Sequence, residues 1–283
     1  MGETLSSPSL LKPGEWEYLT SEMRMTAAES SDRKLSISSR DLLNKQRCVE
    51  YLEQLGVMYE SPSISVTAST FSKRYAFLIV SPALYAITMY NKGFDLSIDN
   101  CNVESAYRNE DSWQPKLRLG HVGITEPDGV SRDEWREAQP DGGNRAEWRD
   151  GMIRSIFADH LAAVWRSISK AARIPMSLLW ENTAIFVYVL YEKRMAEAAS
   201  AEEKLRRQED FDYLIHHAPA SLFGEKQNPL AAYYSPKCEV PGSAEPIRLR
   251  KTCCLYYKLS DGGEDYCPTC PLVKRGLACT PAL

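Results

Sequence analysis

The chain has 283 residues, of which 43% are hydrophobic, 25% charged and 10% aromatic, a globular composition that excludes collagen-like, mucin-like and disordered classes. Its 34 basic side chains against 38 acidic ones give a net charge of −4, which argues against a nucleic-acid or anionic-membrane binder that relies on bulk positive charge. Eight cysteines are too few for a disulfide scaffold at this length, yet five of them, Cys253, Cys254, Cys267, Cys270 and Cys279, crowd the last 31 positions.

Residues 1–40 carry Pro8 and Pro13 among Ser, Glu and Lys, and an irregular lead-in is expected there. No basic stretch followed by an apolar one marks a secretory leader, so a cytoplasmic, thiol-reducing setting is expected. From Ser38 and Asp41 onward, Leu42, Leu43, Cys48, Tyr51, Leu52 and Leu55 recur at helical spacing up to Gly56. A long apolar helix is expected over 71–92, ended by Asn91-Lys92-Gly93. Its most apolar part, Tyr75 to Tyr90, is 16 residues long and interrupted by Pro82, short of the roughly 20 that span a bilayer, so it reads as a core helix and no membrane span is expected.

After Gly93 the run FDLSIDN alternates as a half-buried strand does, and the strand-like composition of the runs 103–108 and 115–122 predicts a meander or hairpin. Residues 126–150 hold eight acidic side chains against four Arg, with Pro and Gly between them, and predict a solvated insertion with short helical pieces. Ile153, Ile156, Phe157, Leu161, Val164, Trp165 and Ile168 then mark an amphipathic helix stopped by Pro175. A further helix is expected over 177–197, with Glu181 and Asn182 inside its apolar run. The charged stretch from Ala201 to His217 predicts another, packed through Leu205, Phe211, Leu214 and Ile215. Short extended runs are expected at 231–235 and 247–251. The fold class that results is α+β, a mainly helical body over 41–245 with a small, mostly antiparallel sheet, followed by a loop-rich segment over 246–283.

The chemistry is narrowed first by what is missing. GxGxxG, GxxxxGK[ST], HExxH and GxSxG are all absent, which removes the common dinucleotide, nucleotide, zinc-protease and α/β-hydrolase signatures. His121 and His160 stand alone and His216-His217 are adjacent, so none has the spacing that converges on a metal from a helix. The cysteines are different. Cys253-Cys254, twelve residues, and then Cys267-Pro-Thr-Cys270 bring four sulfurs from two short segments, the soft donor set that zinc or iron–sulfur iron prefers. Asp261-Gly262-Gly263 supplies a turn between them. Neighbouring Cα atoms lie about 3.8 Å apart, closer than a disulfide spans, so Cys253 and Cys254 are not expected to bond to each other. A zinc site, a redox dithiol and a [2Fe–2S] cluster all remain open, and the wide spread of sulfur directions from a vicinal pair suits the two irons of a cluster better. Cys48, Cys101 and Cys238 are expected to be reduced thiols, and Cys279 either a bystander, the simpler reading, or a substitute ligand.

The tail RLRKTCCLYYKLSDGGEDYCPTCPL resembles the C-terminal signature of FhuF-like ferric-siderophore reductases. The segments FSKRYAFLIVSPALYAITMYNKG (71–93) and LLWENTAIFVYVLYEKRM (178–195), with Asn228-Pro229-Leu230, extend the likeness over most of the chain from about residue 45. Two departures stand out: a spacer two residues longer than the usual ten, and the 126–150 insertion. The resemblance implies a [2Fe–2S] cluster on Cys253, Cys254, Cys267 and Cys270 that passes one electron to siderophore-bound Fe(III) in the cytoplasm, without a general acid, base or nucleophile. It implies as partners a ferric siderophore, of hydroxamate or citrate-hydroxamate type, and an external donor such as a ferredoxin or flavin reductase. Six basic residues between 248 and 275 against three acidic ones leave that stretch at +3, with Arg248, Arg250, Lys251, Lys274 and Arg275 as candidates for an anionic chelate or donor. The alternatives are a zinc-stapled interaction module and a siderophore-binding or synthetase-like protein without redox activity.

Overall fold

In the computed structural model, residues 11–108, 112–127, 143–197, 200–240, 244–259 and 265–273 are described. The architecture is α+β, with helices α1 (Pro13–Ser21), α2 (Lys45–Met58), α3 (Ile64–Tyr85), α4 (Gly143–Arg154), α5 (Ala162–Ala172), α6 (Met176–Glu192), α7 (Ala201–Asp212) and α8 (Pro229–Tyr233). Strands β1 (Met25–Thr26), β2 (Ile37–Ser38), β4 (Cys101–Glu104) and β5 (Lys116–Leu119) form one sheet in the order β1-β5-β4-β2, while β3 (Gly93–Phe94) pairs with β6 (Ile124–Thr125). Only β1 and β5 run parallel; the other pairs are antiparallel, and β4–β5 is the expected hairpin.

The lead-in is less irregular than its composition suggests. Pro13 sits in the first turn of α1, where its missing N–H costs nothing, and Leu19, Met23, Met25, Leu35 and Ile37 enter the main core. Residues 1–10 lie outside the described part of the chain. The Ser38–Asp41 start opens only a short 3₁₀ turn, and α2 begins after it, with the Asn44 side chain accepting from the backbone of Gln46 and Arg47 at 3.0 and 3.1 Å. Gly56 lies inside α2 rather than ending it. Ser63 caps α3, so this helix starts seven residues before the expected position and then widens, after Pro82, into a π-helical turn over Ala86–Tyr90. Asn91, at φ +53°, closes it.

The strand expected over 94–100 shrinks to two residues because its polar side chains form a turn instead. Asp95 accepts from the Ser97 N–H at 2.9 Å, and Asn100 donates to the carbonyls of Asp95 and His121. Of the 126–150 insertion, residues 128–142 lie outside the described chain, while 143–154 are helix. Arg173 at φ +55° ends α5, and Pro175 begins α6 rather than merely stopping its predecessor. Leu205 on α7 is exposed; the side chains that α7 buries are Arg206 and Asp210, with Leu214 and Ile215 following in a π-helical turn. The expected extended run at 231–235 is mostly α8, started by Pro229 with Asn228 accepting from Leu230 and Ala231. In 247–251 the backbone makes one isolated bridge, Ile247 to Cys238.

Helices α3 and α6 pack against one another at the centre, and no helix among the described residues is long and apolar enough to cross a membrane. His160 is fully buried there, its Nδ1 donating to the Leu96 carbonyl at 2.5 Å and its Nε2 facing the Tyr75 hydroxyl at 2.6 Å. Burial drives its pKa down to about 4, so it is a neutral core histidine and not a ligand.

Candidate metal centre

The two cysteine pairs meet against the outer turn of α3 and the middle of α6. Leu255 adopts φ +60°, a left-handed conformation that reverses the chain directly after the vicinal pair, and its N–H points to Cys253 Sγ at 3.4 Å. On the other side, the Cys270 N–H donates to the Cys267 carbonyl at 2.9 Å, closing the Cys-Pro-Thr-Cys turn. Arg250 N–H to the Thr269 carbonyl, 3.1 Å, ties the two turns together. The outcome is Cys254 and Cys270 buried, Cys253 and Cys267 half-buried, and the Sγ atoms of Cys254 and Cys267 3.7 Å apart.

All four are free thiols. The close pair shares a proton: the bond from Cys267, helped by the Lys73 ammonium, favours Cys254 as thiolate, and the Cys267 thiol is raised in turn. Burial raises Cys253, and the charges of Cys254 and Cys270 add to that. Thiols of this kind are a donor set suited to a positively charged iron centre. Among the described residues, no three His, Cys, Asp or Glu side chains gather as a site for a single metal ion. Cys238, expected as a reduced thiol, is disulfide-bonded. Cys279 lies outside the described residues.

The segment is anchored by polar groups of the body. Glu181 on α6 accepts the N–H of Lys251 at 2.6 Å and of Thr252 at 2.8 Å, and also the Thr252 hydroxyl. Arg250 is buried beside it, 3.5 Å from its carboxylate, and donates to Asn182 Oδ1 at 2.7 Å and to the Thr252 carbonyl at 3.1 Å. Asn182 donates in turn to Ser72 Oγ at 2.8 Å and the Ser69 carbonyl at 3.2 Å, and Ser69 Oγ donates to the Cys254 carbonyl at 2.7 Å. Lys73, one helical turn along α3, lies over the Tyr256 ring at 5.2 Å.

Of the basic candidates, Arg250 is thus engaged in holding the segment. Arg248 pairs with Glu192 at 3.0 Å, and Lys251 donates to the Ala232 carbonyl at 2.6 Å. Lys274 and Arg275 lie outside the described residues. Glu181, Asn182, Ser69 and Lys73 were not singled out as site residues from the sequence. The signal for the first two was present: a carboxylate and an amide inside an apolar helical run must find buried partners.

Residues 69–239 match the model of the ferric iron reductase FhuF-like transporter family, and residues 250–272 match the FhuF 2Fe-2S C-terminal domain, so the cofactor is a [2Fe–2S] cluster. No curated protein sequence matches the chain. Aerobactin synthetase IucC from a hypervirulent pathotype of Klebsiella pneumoniae is similar at 13% identity and a TM-score of 0.42, over 69% of this chain and 35% of that one. This chain therefore spans about a third of that protein's length, and so slight a likeness carries no argument about fold or chemistry. The two family matches, covering both the helical body and the cysteine segment, place the chain in the FhuF-like ferric iron reductase family.

Proposed function

We propose that the protein is a ferric-siderophore reductase in which Cys253, Cys254, Cys267 and Cys270 hold the cluster. The observation that carries this reading is that four free thiols lie on two adjoining turns, the Sγ atoms of Cys254 and Cys267 3.7 Å apart, within the stretch that matches the 2Fe-2S domain. When bound, the cluster supplies one electron to chelated Fe(III). Hard oxygen donors favour Fe(III) over the softer Fe(II), so reduction loosens the chelate and releases the metal. The chain's own part is to seat the segment through Glu181, Arg250, Asn182 and Ser69, and to place the Lys73 cation beside the thiolates, where it offsets their charge. No acid, base or nucleophile is required. The reading includes a hydroxamate or citrate-hydroxamate chelate, an external one-electron donor such as a ferredoxin or flavin reductase, and a cytoplasmic setting.

Protein purified without air is expected to be red-brown and to give a paramagnetic signal after one-electron reduction. A colourless protein with one zinc per chain would leave the zinc-stapled module as the reading. Serine at any of Cys253, Cys254, Cys267 or Cys270 abolishes the colour, whereas Cys279→Ser keeps it. A cluster that survives loss of Cys267 but not of Cys279 overturns the ligand assignment.

A further inference from the structure

A group of cations without counter-charges lies along α3, next to the cysteine segment. Lys73 stands beside the Cys254 and Cys267 sulfurs, and Phe77 follows four residues later on the same face of the helix. The guanidinium groups of Arg24 and Arg194 lie over the Phe77 ring at 4.8 and 5.3 Å. Arg74, next to Lys73, lies over Trp113 at 5.8 Å and donates from Nε to the Tyr59 hydroxyl at 3.1 Å. Arg108 is the fourth arginine: burial, and then the charges of Arg74, Arg194 and Arg108, hold the Arg24 pKa below its usual value.

None of these four arginines pairs with a carboxylate among the described residues; Arg194 reaches only the Glu22 carbonyl, at 3.4 Å. Arg145 and Arg149, by contrast, close on Asp210 at 2.7 and 3.2 Å. Like charges held together without an internal counter-charge repel one another, and an external anion relieves that repulsion. The cysteine segment adds an apolar margin beside them. Tyr256, Tyr266, Leu272 and Val273 are half of the exposed large hydrophobic side chains among the described residues, and Lys73 joins the two regions by lying over the Tyr256 ring at 5.2 Å. A face that is apolar at the redox group and basic to one side fits a protein that is apolar around its own redox group and acidic beyond it. A nucleic acid would satisfy the arginines and leave the apolar margin in water.

We propose that Lys73, Arg74, Arg24, Arg108 and Arg194 form the docking face for the electron donor, and that this donor is an acidic one-electron carrier protein of the [2Fe–2S] ferredoxin kind. The proposal rests on the reductase reading and adds to it where the electron enters and what charge brings its carrier. Over the reaction the carrier loses one electron and chelated Fe(III) gains it, becoming Fe(II), and no proton or leaving group moves. The cations act on the encounter, so salt weakens it as the screening length shrinks.

Oxidised plant-type [2Fe–2S] ferredoxin, an acidic protein, is the probe, and its binding is read by calorimetry at low and at high salt. Arg108 and Arg194 are exposed, so the double variant Arg108→Glu/Arg194→Glu reverses charge where the fold tolerates it. It is expected to bind the ferredoxin roughly tenfold more weakly and with a flatter salt dependence. Reduction of the cluster-loaded protein by reduced ferredoxin, followed by stopped flow, slows by the same factor. Reduction by photogenerated deazaflavin radical, a small neutral reductant that needs no docking face, is unchanged. Lys45→Glu lies at the far end of α2 from Tyr59, about 20 Å along the helix axis, and changes none of these. Where the double variant does not fold, Arg194→Gln replaces it, with roughly threefold weaker binding expected. Wild-type affinity and wild-type reduction rate in a folded variant overturn the proposal, as does an equal weakening by Lys45→Glu or tighter binding of a single-stranded DNA oligonucleotide than of ferredoxin. A wild-type protein that deazaflavin cannot reduce overturns the reductase reading itself, while its affinity for oxidised ferredoxin still tests the face.

Discussion

Asp210 and Glu181 are both buried carboxylates that face arginine, but they join different kinds of partner. Asp210 on α7 binds Arg145 through both oxygens at 2.8 and 2.7 Å, Arg149 at 3.2 Å and the Thr88 hydroxyl at 2.9 Å. Those are side chains of α4 and of the π-helical turn after α3, so Asp210 ties helix to helix inside the body. Burial alone would raise its carboxyl, and the arginines outweigh that and hold it below the ordinary carboxylate range. Glu181 instead takes backbone N–H groups of the cysteine segment. It fixes a chain path rather than a helix packing. The difference teaches where stability ends and positioning begins: loss of the first contact should be felt by the whole fold, loss of the second by the metal centre.

The largest expected effect tests the first half of this contrast. Asp210→Ala leaves two arginines facing each other in the interior and should cost about 3–5 kcal/mol of stability, read as a shifted urea midpoint, with cluster content per folded molecule unchanged. Next comes acid. His160 is neutral when folded, with a pKa near 4 against 6.5 when exposed, so the unfolded chain binds the extra proton. Stability from this group is therefore full above pH 6.5 and is lost as pH falls from there toward 4, by about 3 kcal/mol in all. His160→Gln should flatten that part of the urea-midpoint profile.

Glu181→Gln tests the other half. It offers one acceptor oxygen where three donors converge and leaves Arg250 without its counter-ion, at a local cost of about 1–3 kcal/mol. The urea midpoint of the body should move little, while cluster loss to a chelator accelerates and the midpoint potential rises as the buried negative charge disappears. An unchanged potential and an unchanged rate of cluster loss would remove the positioning role. Smallest is Ser69→Ala, which deletes one bond to the Cys254 carbonyl and should cost about 1 kcal/mol, visible only as faster cluster loss.

Helical spacing made α3, α5 and α6 legible because their apolar faces are long, and the β4–β5 hairpin was legible from the strand-like composition of two runs either side of a polar segment. The ends were not, since they depend on single caps: Ser63 starts α3 well before its most apolar stretch, and Asn44, not Ser38, starts α2. Tertiary demand also overrode local pattern. Composition made residues 11–40 look loose, but their few apolar side chains are the ones that enter the core. At the candidate site the four cysteines announce themselves by type and spacing. Their anchors do not, because Ser69 lies 185 positions from Cys254 and Glu181 lies 71 from Thr252, and these groups meet only in three dimensions.

The main hydrophobic core ends, in sequence, at Leu230; buried Cys254 and Cys270 are not members of it, and Leu255 only packs against its edge. The order of assembly follows. A body whose apolar interior is complete without the cysteine segment can reach its folded state before any iron arrives, and the segment can then be delivered, loaded and latched as a separate event. A cluster that binds the latched form more tightly than the free one pulls the segment toward the body by mass action. In a cell short of iron the segment is then held to the body by its polar anchors alone, the bonds to Glu181, Asn182 and Ser69.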